Sequence, residues 1–280
     1  MDFTKSFVKS KNPCADGFRW YLRHHREGSD YQQVLDALVA EGRVGDACWL
    51  LDKVGPANTV LELDHLECDA LVFAGSIVVR GSVEVGGTLR VGGGIHCDGP
   101  VRCGATLVAD WHSDVGGSLA AGALKVMGDL RCGGPLAVAG AVSVRGDLQV
   151  AGDCGAGSLA VRGVLDAGGA VRSTQGLVCG SGLACGGHVD AGWGIKCGAD
   201  VVAAAAIRAG ESIEAGGEIQ AGPGYGVFAG LCVQAQDWDT SARVTAATRP
   251  ARLMSGFWTG GADNGNRLPA STATERHHAH

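Results

Sequence analysis

The chain has 280 residues, of which 47 are glycine and only 5% are aromatic, too few bulky side chains for a conventional globular core. Glycine without a G-X-Y period excludes collagen, and the abundance of Val, Leu, Ile and Ala excludes simple disorder, which leaves a repetitive, turn-rich fold. A net charge of −6 gives no general attraction for nucleic acid or an anionic membrane, so neither is expected as a partner.

The opening MDFTKSFVKSKNP lacks the apolar run of an export signal, and no stretch approaches the roughly 18 apolar residues of a membrane span. A cytoplasmic location is the expectation. Three helices are predicted next. Ala15 to His25 places Phe18, Tyr21 and Leu22 at i, i+3 and i+4 and is followed by Gly28 and the cap-like Ser29-Asp30. Tyr31 to Glu41 ends at Gly42, and Val44 to Lys53 ends at Gly55-Pro56. Residues 1–59 thus read as a small α-helical N-terminal cap, and Val60 to Asp64 alternates as a first strand.

From about Ile77 to about Val233 the chain repeats x-[LIV]-x-[VAC]-G-x, as in Ser76-Ile-Val-Val-Arg-Gly81, Ser82-Val-Glu-Val-Gly-Gly87 and Asp129-Leu-Arg-Cys-Gly-Gly134. Residues i and i+2 of a strand share a face, so each unit sends two apolar side chains inward. The glycines that follow are expected to turn the chain through positive-φ or otherwise strained corners. One unit cannot bury its own apolar pair, whereas stacked coils bury a continuous column and pair every backbone group. Only two steps, Leu119 to Leu124 and Cys154 to Leu159, are five residues long, and they lie 35 residues apart. That interval is six units, which puts both at one corner of a triangular coil with three units per turn, or of a two-unit coil. Three units give about nine turns and a length of about 43 Å.

The x-[LIV]-x-[VAC]-G-x form resembles the bactofilin, or polymer-forming, class of bacterial β-helices. That resemblance covers the repeat region alone and implies a right-handed triangular coil. Left-handed hexapeptide-repeat acyltransferases share the period but place the small residue directly after the aliphatic one, where this chain has Arg90, Arg102, Arg131 or Glu214.

The fold class expected is therefore mainly β: a single-stranded triangular β-solenoid over residues 60–235, with a helical N-terminal cap, an irregular C-terminal cap over 236–258 and a disordered tail over 259–280. Trp238, the short strand-like Ala242 to Ala246 and Phe257-Trp258 supply the bulk of the second cap, and covered ends keep open strand edges from templating aggregation.

Eleven cysteines without an export signal do not make a disulfide framework. Cys97, Cys103, Cys132, Cys179, Cys185 and Cys197 fall at one register, where other units have Val or Ala, and behave as small buried hydrophobes. Paired C-x-x-C spacing is absent, so no zinc, other metal or cofactor is expected.

The sequence Asp110-Trp111-His112-Ser113-Asp114 is the most conspicuous irregularity. Neighbours in a strand point to opposite faces, so His112 and Ser113 should diverge, and a bulged corner is expected there instead of a nucleophilic site. Trp111 and Trp193 occupy corner slots and are candidate protein-binding anchors together with His112. His96 and His188 read as solvated, and Arg276-His-His-Ala-His280 as a tail without a designed site. Arg102, Arg172 and Arg208 should share one outward face and Arg90, Lys125 and Lys196 another, interrupted by Glu84, Asp190 and Glu214, which describes a solvated or protein-binding surface.

The expected function is non-catalytic: a protein-binding solenoid acting on one protein partner, as an immunity, inhibitor or scaffold protein would. A bactofilin-like structural polymer and a hexapeptide-repeat acyltransferase are the alternatives.

Overall fold

The computed structural model describes residues 2–25 and 29–260. Gly28 and the tail beyond Gly260, including Arg276 to His280, lie outside the described residues.

Four helices come first: α1 (Lys5–Ser10), α2 (Ala15–His24), α3 (Tyr31–Ala40) and α4 (Val44–Val54). Helix α1 has no counterpart in the sequence reading; it is a single short element whose first turn is held by the Thr4 hydroxyl accepting the Phe7 N–H at 3.3 Å. Asp30 caps α3 by accepting the Gln32 N–H at 3.0 Å. Leu35, Val34, Leu38, Leu50, Leu51, Trp20 and Tyr21 form the core of this unit, and they pack on Val72 and Ala74 of the coil.

The coil is a parallel β-solenoid of about 11 turns whose strands fall into three columns. Face I begins with Val60–Leu63, Ser76–Val79 and Ile95–Cys97 and runs to Ile219–Gln220, ten strands in all. Face II begins with Leu66–Cys68 and Val83–Val85, and face III with Leu71–Phe73 and Leu89–Val91. Among the strands from Leu66 to Ile219 each pairing is parallel and joins residues 17 or 18 positions apart, as in Leu71↔Leu89, Leu119↔Leu136 and Leu177↔Ile195. Three units per turn is therefore correct. The two five-residue steps do share a corner, since Leu119 pairs with Leu136 and Leu136 with Cys154.

The coil is longer than the nine turns expected because it grows at both ends. A full rung precedes Ile77. At the other end Val227–Phe228, Arg243–Thr245, Leu253–Ser255 and Phe257–Trp258 keep extending faces II and III after face I has stopped. Within that end, helix α5 (Trp238–Ser241) is a loop excursion that seats the Trp238 ring against Gly230.

Two features differ from expectation in their physics. None of the corner glycines from Gly75 to Gly222 has positive φ; Gly224 and Gly230 beyond them do. The corners use glycine because the rungs stack too closely for a side chain: a Cβ on Gly104 would overlap the Gly86 carbonyl oxygen, and one on Gly186 the Gly168 oxygen. The buried cysteines are also more than hydrophobes. The Sγ of Cys97, Cys103 and Cys132 donates to corner carbonyls of Gly81, Gly87 and Gly117 at 3.2, 3.1 and 3.3 Å, and Ser173 does the same to Gly157 at 3.1 Å.

Corner aspartates form a second ladder. Asp129 Oδ1 accepts the Asp147 N–H at 2.9 Å, Asp147 Oδ1 the Val164 N–H at 2.8 Å, Asp153 Oδ1 the Ala170 N–H at 2.8 Å and Asp200 Oδ1 the Glu218 N–H at 2.7 Å. Each ties one rung to the next where the strand bends and the backbone ladder lapses.

Candidate functional site

The anchors singled out in sequence lie apart. Trp111 and His112 sit at a corner between faces III and I, while Trp193, in Gly192-Trp193-Gly194, sits at a corner between faces II and III, five rungs further on. At about 4.8 Å per rung they are separated by about 24 Å along the axis. Both tryptophans are exposed, at 48% and 53%. His112 is exposed and Ser113 is buried, its Oγ accepting the Ile95 N–H at 3.3 Å. Asp110 faces neither, because its carboxylate binds Arg90 at 2.6 Å. No nucleophile, base and orienting acid come together there.

Several outward residues need correcting. Arg90 is not a solvated surface group: it is 5% exposed, held between Asp110 and Asp52 of α4 at 2.8 Å, and donates to the Val91 carbonyl at 2.7 Å. Desolvation opposes its charge, but the two carboxylates prevail and hold the guanidinium above its ordinary pKa. His96 has a carboxylate within 3.3 Å, from Asp98 two residues on. The His188 ring accepts the Ala206 N–H at 3.2 Å and meets Tyr225 edge-on at 5.5 Å. The remaining charges recur as expected. Arg102, Arg172 and Arg208 lie on face II and Lys125 and Lys196 on face III, with pairs Arg172–Asp153 at 3.5 Å, Arg208–Asp190 at 3.4 Å and Lys196–Glu214 at 2.9 Å.

An extended concavity lies along the face that carries Arg102, Arg172 and Arg208, where the sequence pointed to a solvated or protein-binding surface but to no recess. In four successive rungs the chain passes from face II to face III without leaving strand conformation: Val101–Ala109, Leu119–Val126, Leu136–Val144 and Cys154–Val161. Outside this smoothed corner runs an open, mostly apolar trough of about 1110 Å³. Its floor is formed by Ala120, Ala137 and Gly155 in the outward slots, with Gly122, Ala139 and Gly157 beside them. The outward ladder reads Glu84, Arg102, Ala120, Ala137, Gly155, Arg172, Asp190, Arg208 in unbroken register. Leu231 and Cys232 close its C-terminal end, where the N–H groups of Gly230, Leu231 and Cys232 donate to Glu211, Ala209 and Gly210. Trp193 stands at its margin, directly after the lining residue Gly192. The matching strip of face I carries Asp114, Arg131, Gln149 and Asp166 instead. The signal for the trough was present in sequence as Ala, Ala and Gly at positions 17 and 18 residues apart, but it becomes a surface only once the turn length is fixed.

A second, smaller apolar recess of about 180 Å³ lies in the helical unit, lined by Trp20, Tyr21, Trp49 and Leu50 among others. All eleven cysteines are free, and Cys14 and Cys232 are the exposed ones. Among the described residues no helix is long and apolar enough to cross a membrane.

Architecture defines the class: a parallel β-solenoid repeat protein with a helical unit docked on its first rungs. Compared with known proteins, residues 1–55 match the family model of the YdhT N-terminal domain, and that segment contains all four helices of the unit. No curated protein and no solved structure matches the chain.

Proposed function

We propose that the protein is a non-catalytic binding protein that uses the coil as a rigid rod and the trough beside Trp193 as its contact surface for one protein partner. The observation that carries this reading is the break in the outward ladder of face II. Three consecutive rungs bear Ala, Ala and Gly where the flanking rungs bear charges, which leaves a contiguous apolar strip exposed between charged ends. A contiguous apolar patch of this kind, with an exposed tryptophan at its edge, is how protein interfaces are built. Its lining of methyl groups and backbone binds by contact, and inhibition, immunity or scaffolding of the partner is the form the activity would take.

Stacking of coils into a polymer is the weaker reading, because the face III edge of the first rung is engaged. The Gln32 carboxamide donates to the Val72 carbonyl and accepts the Ala74 N–H, both at 2.9 Å, so it occupies the edge of face III as a neighbouring strand would. Ala57 donates to the Ala74 carbonyl at 2.9 Å beside it.

The test is photocrosslinking in cells with a benzophenone amino acid in place of Trp193, an exposed aromatic at the margin of the trough, and separately at Gln149 of face I. A discrete adduct with one partner from position 193 alone is expected. No adduct from either, or the same adducts from both, would overturn the assignment.

A further inference from the structure

Resting on that reading of the trough, we propose that its occupant is an amphipathic α-helix of the partner, apolar along one side and acidic at both ends of a segment about 13 residues long. Three observations lead there. First, the floor offers no open sheet edge: the strands of Val101–Ala109, Leu119–Val126, Leu136–Val144 and Cys154–Val161 are paired in parallel with the rungs before and after them, with register shifts confined to Cys103/Thr106, Ala121/Leu124 and Val138/Ala141. An extended segment laid on it would bury N–H and C=O groups without partners, whereas a helix satisfies its own. Second, Ala120, Ala137 and Gly155 project at most a methyl group, so a helix axis can lie close to the sheet along the coil.

Third, the ends of the strip are charged with one sign. Arg102 lies one rung before Ala120, and Arg172 one rung after Gly155. Arg102 has no ion pair among the described residues, and Arg172 has only the exposed Asp153 at 3.5 Å. The two arginines are four rungs apart, about 19 Å at 4.8 Å per rung, which a helix rising 1.5 Å per residue spans in about 13 residues. Glu84 lies one rung beyond Arg102 and Asp190 one rung beyond Arg172, with Asp190 already paired to Arg208 at 3.4 Å. Acidic groups carried much past the arginines would meet these carboxylates, so the strip selects the spacing as well as the sign.

The test uses the full chain and two labelled synthetic helices of about 17 residues, with Leu and Ala at i, i+3, i+4, i+7, i+8 and i+11. One has a pair of glutamates at each end, its twin a pair of lysines. By fluorescence anisotropy at low salt the acidic helix should bind at least about tenfold tighter than the basic one. Arg102→Glu and Arg172→Glu should each weaken the acidic helix about tenfold and strengthen its twin. Ala137→Arg should abolish binding of both helices while leaving the melting curve in place, since the slot is exposed, and Gln149→Arg on face I should change nothing. Equal binding of the twins, or binding indifferent to Ala137→Arg, would overturn the proposal. If neither helix binds while the crosslink at position 193 persists, the helix is wrong and the trough remains the interface. If both are absent, both fall.

Discussion

At the scale of single residues, stacking distance decides what the coil tolerates. Gly186 and Gly176 are both corner glycines with ordinary φ, yet a Cβ on Gly186 would overlap the Gly168 carbonyl, whereas one on Gly176 would meet the Gly194 oxygen at an ordinary 3.7 Å. Gly186→Ala should therefore destabilise by about 2 kcal/mol or more, because a rung must move, and Gly176→Ala should stay within about 0.5 kcal/mol of the parent. Urea melts of the two variants check this. Equal effects would mean the corners depend on backbone freedom after all. Charge in the core is governed by the same closeness. Burial raises the thiol pKa values of Cys97, Cys103, Cys132 and Cys185, and pushes Cys154 from about 9.0 up to about 12. A folded pKa above the unfolded one favours the protonated thiol, so this contribution is fully present below pH 9 and is lost as pH rises from about 9 to about 12. The loss approaches about 1.4 kcal/mol per pH unit for such a thiol. Cys154 occupies an aliphatic slot between Leu136 and Val171. Cys154→Val should accordingly lose less stability than the parent between pH 9 and 11 in parallel melts; identical pH profiles would sink the assignment.

Elements show where sequence pattern was sufficient and where it was not. The strands were legible because their period of two, their aliphatic slots and their six-residue spacing are local, and so were the three longer helices with their stops at Gly42 and Gly55. What joins them was not legible. Arg90 reads as one more outward cation in the repeat, and only the docking of α4 turns it into a buried ion pair with Asp52 and Asp110. Gln32 reads as a helix surface residue, and only the assembled first rung shows that it ends a sheet. In Gln32→Ala the Val72 carbonyl and Ala74 N–H lose their partner at a part-buried edge, at a cost of about 1–3 kcal/mol. Hydrogen exchange should accelerate at Ala74 while Leu89–Val91, one rung further in, stays protected. Uniform acceleration along the coil would contradict a local capping role. Ala242 to Ala246 was legible as a short strand, but the place of the C-terminal strands in the coil was hidden for a related reason: the loops at 229–242 and 246–252 break the period, although the register of faces II and III continues through them.

For the molecule as a whole, the fold is a rod whose sides differ. One side of its beginning is covered by the helical unit that matches the YdhT N-terminal domain, face I presents mixed polar groups, and the corner between faces II and III presents the trough. Trp193 was found from sequence because an aromatic at a glycine corner is conspicuous, whereas Ala120, Ala137 and Gly155 were passed over because each is unremarkable alone. Cys232 offers the most direct probe of whether this trough is the interface, since it lines the trough and its thiol is exposed, while Cys14 is exposed on the distant helical unit. The measurement is the rate of iodoacetamide labelling at the two cysteines, read by mass spectrometry, in the purified chain and in freshly lysed cells expressing it. Purified protein should label at both positions. In the lysate Cys232 should be protected at least about tenfold while Cys14 keeps its rate, and Ala137→Arg should restore labelling of Cys232. Unchanged labelling of Cys232 in the lysate, or protection that survives Ala137→Arg, would contradict the account.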